Sequence, residues 1–102
     1  MRSERNTALT LGEKMRSKNS KSHTRGESAH MAAVKESPCS VCDAPAPCEA
    51  HHISQGQHFT TVALCKACHT GPMGIHGDKT LWRIYKLDEL KALNITLGRI
   101  YG

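Results

Sequence analysis

The alternation of apolar and polar positions divides the chain into a polar arm and one small domain. Residues 1–26 are rich in Ser, Thr, Asn, Lys and Arg and show no sustained apolar period, which is typical of a mobile segment. Apolar side chains first recur at helical spacing in "ESAHMAAVKE", residues 27–36. Pro38 ends this predicted helix, because the residue before a proline disfavours the α region. We therefore predict a mobile basic arm over residues 1–26 and a domain over residues 27–102.

Two short β-type segments follow, separated by a turn. The composition of residues 49–54 and 60–64 suits strands, and "TTVAL" in the second segment is β-branched and apolar. The polar stretch "SQGQ" between them supplies the turn. Residues 65–69 then begin a helix. The pattern thus predicts a β-hairpin followed by a helix.

The rest of the domain is predicted to be a loop and two helices. "TGPMGIHG" contains three Gly and one Pro and indicates a loop. Asp78 is placed to cap a helix over "KTLWRIYKL", whose Leu81, Trp82 and Tyr85 share a face that we expect to pack in the core. "DELKALN" predicts a further helical turn or two, begun by Asp88 and closed near the asparagine. The last segment, "ITLGRIYG", is either a short strand or a tail.

Composition indicates that this small domain is held together by a metal. A chain of 102 residues buries a limited core and commonly needs a metal or disulfides for stability. No apolar run is long enough to span a membrane, and no signal-peptide core is present, so we expect a cytoplasmic protein without a membrane partner. Five cysteines in that compartment favour metal thiolates over disulfides.

Positive charge is concentrated in the arm. The formal net charge is +5, of which residues 1–37 carry +4 and residues 38–102 carry +1. A basic arm beside a nearly neutral domain suits nonspecific attraction to phosphates. A solvated tail is the simpler interpretation of the same composition.

Two Cys-x-x-Cys pairs carry the clearest metal signal. Each pair supplies two thiolates from one tight turn, and zinc takes four ligands in a tetrahedron. The pairs are separated by 22 residues, which is room for a hairpin stapled at its base. We expect a structural zinc on four cysteines, which are Cys39, Cys42, Cys65 and Cys68. Cys48 is the spare cysteine, and it is either a small buried apolar residue or the replacement for one of the four.

Histidines form a second constellation. His51 and His52 are adjacent, and neighbouring side chains on a strand point to opposite faces, so the two cannot do the same work on a regular strand. His69 and His76 are seven residues apart, a rise of about 10.5 Å on a continuous helix. They could share an ion only if the "TGPMG" loop folds His76 back.

These motifs resemble those of the HNH endonucleases. The pattern "C-x-x-C … E-A-H-H-I … L-C-x-x-C-H … H" is similar to the motif of that family, whose core is a ββα-metal hairpin and helix. "AHMAAVK", "PCSVC", "HHISQGQHFTTVALCKACHTG", "GIHG" and "LWRIYKLDELKALN" look like the phage recombination-enhancement (Ref) family of RecA-dependent nucleases. The resemblance covers roughly residues 27–97. It implies a zinc-stapled small α+β fold with flanking helices and a disordered basic N-terminal arm.

The resemblance also implies roles for individual residues. His51, His69 and His76 match the positions that bind the catalytic metal, and His52 matches the general base. The four cysteines match the structural zinc of many HNH proteins. The chain departs from the pattern at the middle position, where no asparagine lies near Thr60. Thr60 or His58 would take that role.

The expected activity is hydrolysis of DNA phosphodiester bonds. A histidine of near-neutral pKa can accept a proton from water, and a divalent cation stabilises the charge on the phosphate. The expected cofactors are a structural Zn²⁺ and a catalytic Mg²⁺, Mn²⁺ or Zn²⁺. The resemblance implies DNA as a partner, a RecA filament as a further one, and a phage or prophage origin within a bacterial host.

Two other interpretations stay open at this stage. The cysteine tetrad and the basic arm would suffice for a non-catalytic zinc-knuckle module that binds DNA. The two Cys-x-x-Cys pairs are also compatible with redox or metal sensing. Of the carboxylates, only Glu49 is positioned in the sequence to reach the metal, and His23 and His30 receive no role.

Overall fold

The domain is a small α+β fold built around one β-hairpin. A computed structural model describes residues 23–102, so most of the predicted mobile arm lies outside the described residues. The order of elements is α1 (Arg25–Lys35), β1 (Glu49–His52), β2 (Thr61–Leu64), α2 (Lys66–His69), α3 (Thr80–Ile84) and α4 (Glu89–Tyr101). The predicted α+β class is confirmed at this level. No helix among residues 23–102 is long and apolar enough to cross a bilayer.

Helix α1 begins two residues earlier than the predicted boundary because a capping box starts it. The backbone N–H of Glu27 donates to Thr24 Oγ1 over 3.0 Å, and the backbone N–H of Thr24 donates to Glu27 Oε1 over 2.8 Å. This reciprocal arrangement satisfies two donors that a helix start leaves free. His30 and Val34 are the buried side chains of the helix. The helix ends at Lys35, close to the predicted stop.

The hairpin forms the centre of the fold. β1 and β2 are antiparallel, with Glu49 opposite Leu64 and His51 opposite Val62. All four β2 side chains are buried, and successive side chains point to opposite faces, so both faces of β2 are covered. Both strands are shorter than predicted, because residues 53–60 form the connecting turn.

The C-terminal segment corrects the prediction. A single 13-residue helix, α4, runs through the residues assigned to a short helix and to a strand or tail. Asp88 caps it as predicted, accepting from the backbone N–H of Lys91 over 2.8 Å. Thr96 is fully buried against the hairpin, and Tyr101 Oη lies 2.7 Å from His30 Nδ1 on α1. These tertiary contacts override the local preference of "ITLG" for other structures.

Helix α3 is a short element that fixes one aromatic residue. Trp82 is buried, and its Nε1–H donates to the Cys68 carbonyl over 2.9 Å. Asp78 accepts from the backbone N–H of Thr80 over 2.9 Å. The predicted capping role is nevertheless wrong, because the N-cap of α3 is Lys79, in a left-handed conformation, and no side chain caps the helix. The predicted core face fails at Tyr85, which is 48% exposed. The helix ends at Ile84, so its apolar face does not extend that far.

Candidate metal centres

The two Cys-x-x-Cys turns come together as the sequence predicts. One Sγ atom from each of Cys39, Cys42, Cys65 and Cys68 lies within 4.8 Å of the others. The Sγ atoms of Cys42 and Cys65 are 3.6 Å apart. Zn–S bonds of about 2.3 Å in a tetrahedron place sulfur atoms about 3.8 Å apart. The four thiols therefore form a group whose size and donor type suit a structural zinc.

Local backbone geometry shapes both turns. The backbone N–H of Cys39 donates to the Ala44 carbonyl over 2.8 Å, and that of Asp43 donates to the Cys39 carbonyl over 2.9 Å. Asp43 adopts a left-handed conformation with φ 64°. Cys65 precedes α2, and its carbonyl accepts from the backbone N–H of His69 over 3.0 Å. Each cysteine pair thus lies on a compact, hydrogen-bonded turn.

The thiols experience opposing electrostatic effects. Burial raises the pKa of Cys42 and of Cys68. Burial also acts to raise the pKa of Cys39, but hydrogen bonds from backbone N–H groups outweigh it, so the pKa of Cys39 is lowered. Ionising all four thiols in this space needs a compensating cation, and a zinc ion would supply that charge.

Cys48 stands apart from the four cysteines. It is buried, and its Sγ lies 3.9 Å from the Pro45 carbonyl oxygen. Burial, followed by the nearby thiols, raises the pKa of Cys48 to about 11. Among residues 23–102, the group of converging thiols does not include it. The arrangement favours the interpretation of Cys48 as a small apolar residue.

Three histidines form a second converging group. One nitrogen atom from each of His51, His69 and His76 lies within 4.8 Å of the others. The ring centroids are 5.1 Å apart for His51 and His69, 5.1 Å for His51 and His76, and 4.9 Å for His69 and His76. We call these three residues the histidine trio. Their donor type and spacing would suit a divalent first-row ion.

The loop after α2 produces this convergence. It turns back so that the backbone N–H of His76 donates to the His69 carbonyl over 3.0 Å. The N–H of Ile75 likewise donates to the Cys68 carbonyl over 2.8 Å. A Cβ on Gly74 would lie 2.7 Å from the Ala67 carbonyl oxygen, so this close return requires glycine. The prediction that the loop folds His76 back is confirmed.

Two carboxylates contact ring nitrogen atoms of the histidine trio. Glu49 Oε1 lies 2.6 Å from His69 Nδ1, and Glu89 Oε2 lies 2.6 Å from His51 Nε2. A histidine that binds a metal through one ring nitrogen usually donates its other ring N–H to a carboxylate, a carbonyl or water. By this logic His51 would bind through Nδ1 and His69 through Nε2.

Sequence reasoning missed Glu89. It lies 38 residues from His51, at the first turn of α4, where an acidic residue is already explained by the helix dipole. Its only sequence signal is its position directly after the Asp88 cap. That position becomes informative only once α4 is known to pack against the hairpin.

His52 has different surroundings from its neighbour His51. Its Nε2 lies 3.0 Å from His58 Nδ1, so Nδ1 is the ring nitrogen outside this contact. Burial and then repulsion from neighbouring histidines, His58 first, lower the pKa of His52. The Thr60 hydroxyl instead donates to the Gln57 carbonyl over 3.2 Å. Of the two candidates for the middle position, His58 is therefore the one placed in contact with His52.

Comparison with protein-family models, curated proteins and solved structures finds no match to this chain. The functional interpretation therefore depends on the geometry of the site and on the sequence resemblance.

Proposed function

We propose that the chain is a metal-dependent DNA endonuclease of the HNH type. The single observation that supports it most strongly is the histidine trio gathered next to a hairpin whose first strand ends in His52. The order β1, β2, α2 supports the proposal, because a ββα-metal core is a hairpin followed by a helix. In this proposal the hairpin and α2 form that core, and α1, α3 and α4 are its flanking helices.

The two sets of metal donors have different chemistry, and this difference supports a division of roles. Four thiolates form a closed set, which is the pattern of a structural zinc site, whereas three imidazoles leave a coordination position open, which is the pattern of a catalytic site. A divalent cation bound by the trio would stabilise the negative charge that develops on the phosphate. Mg²⁺, Mn²⁺ and Zn²⁺ are the candidate ions.

His52 is the general base in this proposal. Its lowered pKa keeps the imidazole neutral at physiological pH, so a ring nitrogen can accept a proton from water. His58 holds Nε2 and thereby directs Nδ1 toward the attacking water. His51 and His52 point to opposite sides of β1, which ends at His52. A phosphate bound at that end of the strand could reach both residues.

DNA is the proposed substrate. The chain carries a net charge of +5, mostly in its first 37 residues, and such charge attracts a phosphate backbone without reading sequence. The resemblance to the phage Ref family extends the proposal to cleavage that depends on a RecA filament. On the same basis we propose that the protein acts in the cytoplasm of a bacterial host during phage or prophage recombination.

Cleavage of supercoiled plasmid tests the proposal. Wild type and His52→Ala would be assayed with Mg²⁺, Mn²⁺ or EDTA, each with and without RecA, ATP and a homologous oligonucleotide. We expect wild-type cutting that needs metal, and a loss of about 10²- to 10⁴-fold in His52→Ala, the range for loss of a general base. A RecA requirement would support the narrower family assignment.

Controls separate catalysis from folding and binding. Gln55→Ala changes an exposed side chain of the turn between β1 and β2 that has no role in the proposed site, and this variant should cut like wild type. DNA binding and one tightly bound zinc should persist in His52→Ala. If wild type binds DNA and zinc but never cuts, the nuclease proposal is wrong and the zinc-knuckle binding module becomes the better interpretation.

A further inference from the structure

A third group of metal-type donors lies between the start of α1 and the turn that joins β1 to β2. His23 precedes α1, Glu27 lies in the first turn of α1, and His58 lies in the turn between β1 and β2. One donor atom from each lies within 4.8 Å of the others. These residues come from different positions than the histidine trio, and the sequence alone gave His23 no role.

The spacing of the two imidazoles is that of ligands sharing an ion. His23 Nδ1 and His58 Nε2 are 3.2 Å apart. Zn–N bonds of about 2.0–2.1 Å in a tetrahedron place two nitrogen atoms about 3.3 Å apart. The rings meet edge to face, with centroids 4.3 Å apart and planes at 73°. The two nitrogen atoms therefore lie at the separation that a shared tetrahedral ion requires.

Glu27 adds an anionic donor. Its Oε1 accepts the capping hydrogen bond from Thr24, and Oε2 lies outside that bond. Two histidines and one carboxylate are the donor set of many catalytic zinc sites, in which a fourth position is left to water or another ligand.

We propose that His23, Glu27 and His58 bind a third divalent metal ion of the zinc type. This proposal does not depend on the nuclease activity. The ion would link the start of α1 to the hairpin turn, two segments that are 35 residues apart at His23 and His58.

His58 connects this third site to His52. With Nε2 on a metal, His58 must carry its proton on Nδ1, because a metal-bound neutral imidazole has one N–H. That N–H would then donate to His52 Nε2, 3.0 Å away. The ion would thus set the direction of the hydrogen bond between these two histidines, and a neutral His52 would then carry its own proton on Nδ1. Since the proposed base accepts a proton at Nδ1, His52 would act as a base only while the third site is empty.

Zinc titration of the full chain against a competing chelator, followed by native mass spectrometry, tests the site. We expect His23→Ala to bind one zinc fewer than wild type, and His51→Ala to lose a different one, so that the double variant loses both. Glu27→Gln preserves the cap, since glutamine also serves in a capping box. It should nevertheless weaken the third site by at least about tenfold, the lower end of what loss of an outer partner does to metal affinity.

Glu36→Gln is the matched control. Glu36 is an exposed glutamate just beyond the other end of α1, and its replacement should leave zinc stoichiometry unchanged. Circular dichroism should show equal helix content in both glutamine variants. If His23→Ala binds as many zinc ions as wild type with the same affinity, or if Glu27→Gln and Glu36→Gln bind zinc alike, the third site does not exist.

Discussion

Replacing Glu89 by glutamine should weaken metal binding at the histidine trio while leaving the cysteine site intact. Glu89 Oε2 lies 2.6 Å from His51 Nε2, and the histidine side chain is 5% exposed while the glutamate is 37% exposed. A hydrogen bond to a charged group contributes about 1.5–3 kcal/mol when well shielded. Because over a third of this carboxylate meets solvent, we take a value just below that range, about 1.4 kcal/mol, which corresponds to a tenfold change in the dissociation constant.

Calorimetric titration with Mn²⁺ measures this effect directly. The protein would carry zinc on the cysteines and the His23→Ala change, so that neither other site contributes. Glu49→Gln provides a graded comparison, because Glu49 is 47% exposed and its partner His69 is 16% exposed. We expect its effect to be smaller than that of Glu89→Gln.

The outcome that would refute this reasoning is specific. Equal Mn²⁺ affinity in wild type and Glu89→Gln would show that the His51–Glu89 contact does not orient a metal ligand. A metal-independent loss of stability that accounts for the whole effect would show that Glu89 acts only through the α4 dipole. That contribution is about 0.3–1 kcal/mol for a surface charge, and thermal unfolding in EDTA would measure it.

Three further predictions concern a buried hydroxyl, a spare thiol and the proposed base. Thr96→Val should lower the free energy of unfolding by about 1–3 kcal/mol in urea titrations, since Thr96 Oγ1 accepts from the Ala63 N–H over 3.2 Å and contacts Ser40 Oγ at 2.6 Å. Ser40→Ala should lower the free energy of unfolding less in Thr96→Val than in wild type. Equal decreases would contradict a shared hydrogen-bond network. With its pKa raised to about 11, Cys48 in the zinc-loaded protein should resist alkylation at pH 8 until the chain unfolds. Peptide mapping checks this, and modification at the rate of an unfolded cysteine would count against it. Burial and then repulsion from neighbouring histidines lower the pKa of His52 from 6.5. Cleavage at saturating metal should therefore fall with decreasing pH at a midpoint below 6.5, and a midpoint above 6.5 would contradict His52 as the base.

Local patterns could predict the cysteine group and the loop behind the trio. A Cys-x-x-Cys turn is encoded within four residues. Two such turns at the base of a hairpin are brought close together by the pairing of its strands. The return of His76 likewise depends on a short glycine-rich stretch, and Gly74 permits it through the close approach to Ala67. In both cases the determining interactions lie close together in the sequence.

Long-range packing could not be predicted in the same way. The last segment forms a helix although "ITLG" has β-branched residues and a glycine, because Thr96 is buried and α4 packs on β2. Glu89 reaches His51 for the same reason. Tyr85 was wrongly assigned to the core because α3 stops at Ile84, and a helix end is poorly encoded by periodicity alone.

Helix α4 spans the distance between the metal groups. Its first turn contacts the histidine trio through Glu89, and its last turn reaches the first cysteine turn through Arg99, which donates to the Cys39 carbonyl over 3.2 Å and pairs with Asp43. A helix of 13 residues is a stiff rod of about 20 Å. If ligation at the cysteines orders this rod, it also positions Glu89 for His51. Zinc at the cysteines would then raise the affinity of the histidine trio for its ion. Because coupling between two binding sites is reciprocal, an ion at the trio would raise the affinity of the cysteines for zinc by the same factor.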